Sequence, residues 1–93
     1  MIKKLLIYFM FLISYVGLAQ EKEITGIVYD ENGMAVPGVN VTIPSINRGV
    51  QTNFDGEYSI RASVGQKLVF SFVGYVTKEV TVGNSNQINV TLE

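Results

Sequence analysis

The chain has 93 residues, a formal net charge of −1, and no His, Cys or Trp. That length holds one domain. The missing residue types exclude a Ser-His-Asp or Cys-His catalytic arrangement, a disulfide framework and a lipid-modified cysteine, and they leave a zinc site only carboxylates to work with.

The first stretch reads as a targeting segment. Lys3 and Lys4 precede an uncharged apolar run, Leu5–Val16, and Gly17, Leu18 and Ala19 place small residues at the −3 and −1 positions of a cut after Ala19. A positive start, an apolar middle and a small-residue end describe a secretory signal peptide. Twelve helical residues span about 18 Å, short of the ~30 Å hydrocarbon core, so a membrane anchor is the weaker reading. The expected organisation is a signal peptide over residues 1–19 and one domain over residues 20–93. Without its leader the chain carries five basic and eight acidic residues, a net charge of −3. This scattered acidic balance excludes nucleic acid, which needs a basic stripe, and disfavours anionic membrane surfaces.

The remainder has no helical periodicity. Glu23–Tyr29 is the first expected strand, with Ile24 and Val28 on one face around Gly26 and with Ile27 and Tyr29 on the other. Asp30–Gly33 reads DENG, whose Asn-Gly marks a turn. Pro37 cannot donate to a ladder, so the next strand starts after it, with Val39, Val41 and Ile43 inward, and Pro44 closes it. Ser45–Arg48 is expected to be a loop and Gly49–Thr52 a short strand near a sheet edge. Asn53–Gly56 interrupts the chain, and Glu57–Ala62 resumes with Tyr58, Ile60 and Ala62 inward. Ser63–Gly65 turns. Gln66–Val73, the most apolar segment, is expected to be a central strand covered on both faces, with Leu68, Phe70 and Phe72 opposite Val69, Ser71 and Val73. Gly74 breaks it. Tyr75–Val82 is the next strand, with Val76, Val80 and Val82 in phase and Lys78 as the misfit. After a turn at Gly83–Asn86, Gln87–Glu93 alternates with Ile88, Val90 and Leu92 inward. Seven short strands with turns every ~8–12 residues predict an all-β sandwich of two packed sheets.

Candidate chemistry is sparse. Asp30, Glu31 and Asn32, and again Asn53, Asp55 and Glu57, offer oxygen ligands, but neither run meets the spacing of a calcium loop; both read better as hairpin punctuation. Tyr29, Phe54, Tyr58 and Tyr75 could build a sugar platform, although a lone Tyr on a strand more often packs at a rim with its hydroxyl in water. Phe54 sits in a turn, where an apolar ring is expected to pack back; failing that, it is the first candidate contact with a partner. Two NVT runs, Asn40–Thr42 and Asn89–Thr91, match a glycosylation pattern but lie within expected strands. No cofactor, metal site or catalytic activity is expected.

Four motifs in order nevertheless carry a resemblance. Gly26, Val28, Asp30 and Gly33 form G-x-V-x-D-x-x-G; Pro37, Gly38, Val39 and Val41 form P-G-V-x-V; Thr52, Asp55, Gly56, Tyr58 and Ile60 form T-x-x-D-G-x-Y-x-I; and Val73, Gly74 and Tyr75 form V-G-Y. Across Ile24–Val82 the chain resembles the carboxypeptidase-regulatory-like domain, and more narrowly the copy at the N-terminus of SusC/RagA-type TonB-dependent outer-membrane receptors of Bacteroidota. Two positions depart from the pattern: Pro44–Ser45 where Lys-Gly is common, and Asn53 where the receptors commonly carry Asp. The resemblance implies a Greek-key, prealbumin-like sandwich on the periplasmic side of the outer membrane. It also implies a non-catalytic accessory role through contact with a protein partner, either the receptor's plug and barrel or a periplasmic energy-transduction protein. A free-standing exported module that binds carbohydrate or protein, and an accessory domain of an exported peptidase, are the alternatives.

Overall fold

The computed structural model describes residues 21–93; the expected signal peptide lies outside the described residues. Seven strands follow in order: β1 (Lys22–Tyr29), β2 (Asn40–Ile43), β3 (Arg48–Gln51), β4 (Glu57–Ala62), β5 (Lys67–Ser71), β6 (Lys78–Thr81) and β7 (Val90–Thr91). They form a three-stranded sheet, β4-β1-β7, and a four-stranded sheet, β3-β2-β5-β6. All pairings are antiparallel except β1 with β7, which is parallel.

The alternation read from the sequence sets the core. Ile24 and Val28 of β1, Val41 and Ile43 of β2, Tyr58, Ile60 and Ala62 of β4, Leu68 and Phe70 of β5, and Val90 with Leu92 are buried between the sheets. Tyr58 and Phe70 meet edge to face across the sandwich, ring centroids 5.5 Å apart and planes at 74°, the arrangement their quadrupoles prefer.

Four expectations need correction. Residues 72–75 form a turn, with the Tyr75 N–H donating to the Phe72 carbonyl at 3.1 Å and Gly74 at φ 91°. The strands on either side are therefore shorter than expected, and Val73 and Val76 stand 93% and 75% exposed. Second, β5 is central in its sheet, but its outer residues Val69 and Ser71 are only half-buried, and among the described residues no third layer covers that face. Third, Pro44–Ile46 is one turn of 3-10 helix rather than plain loop, ended by Asn47 in the left-handed region at φ 51°; Pro at the first helical position suits this, because its missing N–H would be unpaired anyway. Fourth, β7 is two residues long. Before it, the Asn89 side chain substitutes for the ladder, its Oδ1 accepting from the Ile27 N–H at 2.9 Å.

The registers put the turns at two ends. β1 and β5 run toward the end that holds residues 30–38, 52–56, 72–77 and 92–93. The opposite end holds the start of β1, the 3-10 turn, and the turns at 63–66 and 83–86. There Glu21 pairs with Arg48 at 3.1 Å and Arg61 at 3.7 Å. Arg48 also donates to the Arg61 carbonyl at 2.9 Å, which ties the edges of the two sheets together.

Candidate functional site

The turns of all four motifs lie at the first of these ends, and the motif residues other than Asp55 and Val73 have packing or conformational tasks. Gly26 faces Tyr58 across the β1–β4 pair. A Cβ on Gly26 would lie 1.8 Å from the Ile88 carbonyl oxygen and 2.9 Å from the Tyr58 ring. The space is already taken by a hydrogen bond, since the Tyr58 hydroxyl donates to that same carbonyl at 2.6 Å. Burial pushes the Tyr58 pKa from 10.0 up to about 12, because the phenolate would have to form away from water.

Two turns at this end share one construction. In the first, the Gly33 N–H donates to the Asp30 carbonyl at 3.0 Å, and Asp30 Oδ1 accepts from the N–H groups of Asn32 and Met34, both at 2.9 Å. In the second, the Gly56 N–H donates to the Asn53 carbonyl at 2.9 Å, and Asn53 Oδ1 accepts from Asp55 at 3.0 Å and Glu57 at 2.9 Å. Both close on a glycine in the left-handed region, Gly33 at φ 79° and Gly56 at φ 73°, the three-residue hairpin geometry that ends in a bulge. Asn53 therefore does in the second turn what Asp30 does in the first. Its departure from the family pattern leaves the turn's two acceptor bonds in place, because an amide oxygen accepts as a carboxylate does, and the amide adds a bond of its own, Nδ2 donating to Glu57 Oε1 at 3.2 Å. The expectation that Asp55 with Gly56 makes the turn is thus half right: Asp55 supplies only its backbone N–H. Each calcium candidate has its first oxygen committed to backbone N–H groups, and among the described residues no three His, Cys, Asp or Glu side chains converge.

Thr52 is the buried polar residue of the core, 5% exposed. Its hydroxyl donates to the Val36 carbonyl at 2.7 Å and accepts from the Val39 N–H at 2.9 Å. Its backbone bonds Gly38 and Val39 as well, each at 3.0 Å. One side chain thus fastens Val36–Val39, the segment through which the chain crosses between sheets, with Pro37 denying it a ladder bond and Gly38 turning at φ 77°. Gly74 gives the last turn its positive φ, and Tyr75 packs half-buried against Phe72, ring centroids 6.1 Å apart.

The aromatic platform is not assembled. Tyr58 is buried, Tyr75 leans on Phe72, and Tyr29 is half-buried. Phe54 does not pack back as expected; it is 94% exposed. It occupies the second position of its turn, which tolerates most residues. Phe54 lines a shallow groove with Pro37, Gly38, Thr52 and Asn53. The sequence places Val73 and Val76 on strands either side of a break at Gly74; the turn in fact takes in residues 72–75 and leaves both exposed at Phe54's end of the molecule.

A small Greek-key sandwich whose motif residues mostly serve turns and packing fits a carboxypeptidase-regulatory-like module. The chain belongs to the CarboxypepD_reg-like domain family, which matches residues 24–93. Among curated relatives, it is 50% identical over 70 residues to TonB-dependent receptor P26 of Formosa agariphila, an alignment covering 75% of this chain and 7% of that receptor. It is 36% identical over 94 residues to TonB-dependent receptor P3 of the same organism, covering 99% of this chain and 9% of the receptor. With TonB-dependent receptor SusC of Bacteroides thetaiotaomicron it shares 37% identity over 81 residues, 87% of this chain and 8% of the receptor. The chain thus spans less than a tenth of the length of these relatives.

Proposed function

We propose that these residues are the non-catalytic accessory sandwich of a TonB-dependent outer-membrane nutrient receptor, exported by the Met1–Ala19 leader and working on the periplasmic face by protein contact. The observation that carries this reading is the identity to TonB-dependent receptors along the whole sandwich. It is supported by the tasks of the motif residues: they make turns, clearances and buried hydrogen bonds. The β6 edge is a poor contact surface. Its Lys78 and Glu79 are both exposed, and charged edges resist strand addition.

Localisation tests the proposal. In the producing bacterium, the polypeptide carrying this sandwich should sediment with the outer membrane. A protease should reach the sandwich only after that membrane is permeabilised. Recovery in the culture medium, or digestion on intact cells, would overturn the periplasmic reading.

A further inference from the structure

We infer that the end of the sandwich bearing Phe54, Val73 and Val76 is a docking surface for a basic protein segment with apolar side chains. The inference rests on the contact role proposed above and says where the contact lies and what it selects.

Three observations carry it. The first is exposure without a structural reason. Phe54 and Val73 are 94% and 93% exposed, Val76 75% and Met34 66%. Each lies in or beside a turn whose geometry is set by other residues, namely Asn53, Gly56, Asp30, Gly33 and Gly74. Nothing in the fold asks for an apolar side chain at these positions, and an exposed apolar patch on a small domain marks an interaction site.

The second is continuity. The Phe54 turn lies against the first hairpin, where a Cβ on Gly56 would meet the Ala35 Cβ at 2.9 Å. The groove beside Phe54 is floored by Pro37 and Gly38, and Gly38 in turn abuts the Phe72 ring, 3.5 Å from the place a Cβ would take. Phe72 opens the turn that carries Val73. Val76 follows, its N–H donating to the Glu93 carbonyl at 2.8 Å. The apolar groups thus form a strip across one end of the molecule.

The third is charge. Asp30, Glu31, Asp55, Glu57 and Glu93 stand at this end, five of the eight acids in the sequence, and Lys78 is the cation among the described residues there. Lys22, Arg48, Arg61 and Lys67 all lie toward the opposite end, with Glu21 and Glu23. The net charge at the apolar end is therefore −4, more than the whole −3 of residues 20–93. The carboxylates share this end with the apolar strip, so an occupant that buries the strip must bring positive charge or place like charges together. A second copy docking end to end would oppose two acidic ends.

The test uses the exported, processed chain, labelled for 1H–15N correlation spectra, and three synthetic peptides: Lys-Phe-Lys-Leu-Lys, Glu-Phe-Glu-Leu-Glu and Lys-Ser-Lys-Ser-Lys, all with blocked ends. The first should shift the amides of Phe54, Val73 and Val76, and its binding should weaken about fivefold or more between low salt and 0.5 M salt. The other two should shift them far less. The double variant F54S/V73S, altered only at exposed positions, should keep its remaining spectrum and lose the response. Equal response to the acidic peptide, an equal response to the serine peptide, shifts centred on Val64 at the opposite end, or no shift at all would each overturn the inference. Concentration-dependent shifts of these amides without peptide would overturn it in favour of self-association. None of these outcomes bears on the membrane fractionation above, so the two readings fail separately.

Discussion

Replacing Thr52 by Val keeps the shape of the side chain and removes its two hydrogen bonds. The backbone bonds of residue 52 with Gly38 and Val39 survive. The Val39 N–H, on a residue with 0% exposure, loses its acceptor, and the Val36 carbonyl, on a residue 8% exposed, loses a donor. An orphaned buried donor costs about 1–3 kcal/mol and a lost hydrogen bond about 1 kcal/mol, so T52V should destabilise by about 2–4 kcal/mol. A domain of the size of residues 20–93 is stable by only about 4–11 kcal/mol in all. Thr52→Ser keeps both bonds and gives up one buried methyl, about 0.8 kcal/mol. In urea, with a slope near 1 kcal/mol per M for a small domain, the T52V midpoint should fall by about 2 M or more and that of T52S by less than about 1 M. Far-UV circular dichroism follows the transition, since the chain has no Trp. A T52V midpoint within about 0.5 M of the parent, or T52S as weak as T52V, would refute the argument, because packing rather than the hydroxyl would then hold Val36–Val39 in place.

Three further outcomes follow from the same end of the molecule. Gly26→Ala drives a Cβ into the Ile88 carbonyl and should destabilise by about 3 kcal/mol, the upper range for overpacking; a thermal midpoint unchanged from the parent would count against the close approach. Asn53→Ala strips the acceptor from its turn and should cost about 1–2 kcal/mol, whereas Asn53→Asp should lie within about 0.5 kcal/mol of the parent; equal losses in denaturant melts would show that the turn does not depend on that oxygen. Tyr58 is held protonated by burial, its pKa raised from 10.0 to about 12. Its contribution is complete below pH 10 and drains away between pH 10 and 12, because the unfolded chain releases the proton first. Tyr58→Phe should lose about 1 kcal/mol at pH 7 and show a shallower alkaline decline than the parent; parallel pH profiles of the urea midpoint would contradict this.

The strand set was legible where it depended on neighbours in sequence. Alternation in Glu57–Ala62 and Ile24–Val28 named the buried face correctly, because a strand's side chains point to opposite sides regardless of its partner. The ends were less legible. Val73 and Val76 fit the alternation of the strands beside them, yet they stand in and just past a turn. Apolar character alone does not say whether a residue meets a second sheet or water. Asn89 looked like an outward residue and proved to be a ladder acceptor, a role that exists only because β7 lies parallel to β1.

What the sequence determined by itself is the local geometry: the turn glycines, the proline that ends a strand, the inward residues, and through their order the family. Each is set within a few residues by backbone sterics and side-chain period. Only the tertiary structure decided that turns distant in the chain share one end, that Asn53 repeats the work of Asp30, and that the exposed Phe54, Val73 and Val76 stand at the same end as five of the carboxylates. Those facts depend on sheet order and register, which arise from contacts across most of the chain. The same contacts bring the turns of four separate motifs to one end.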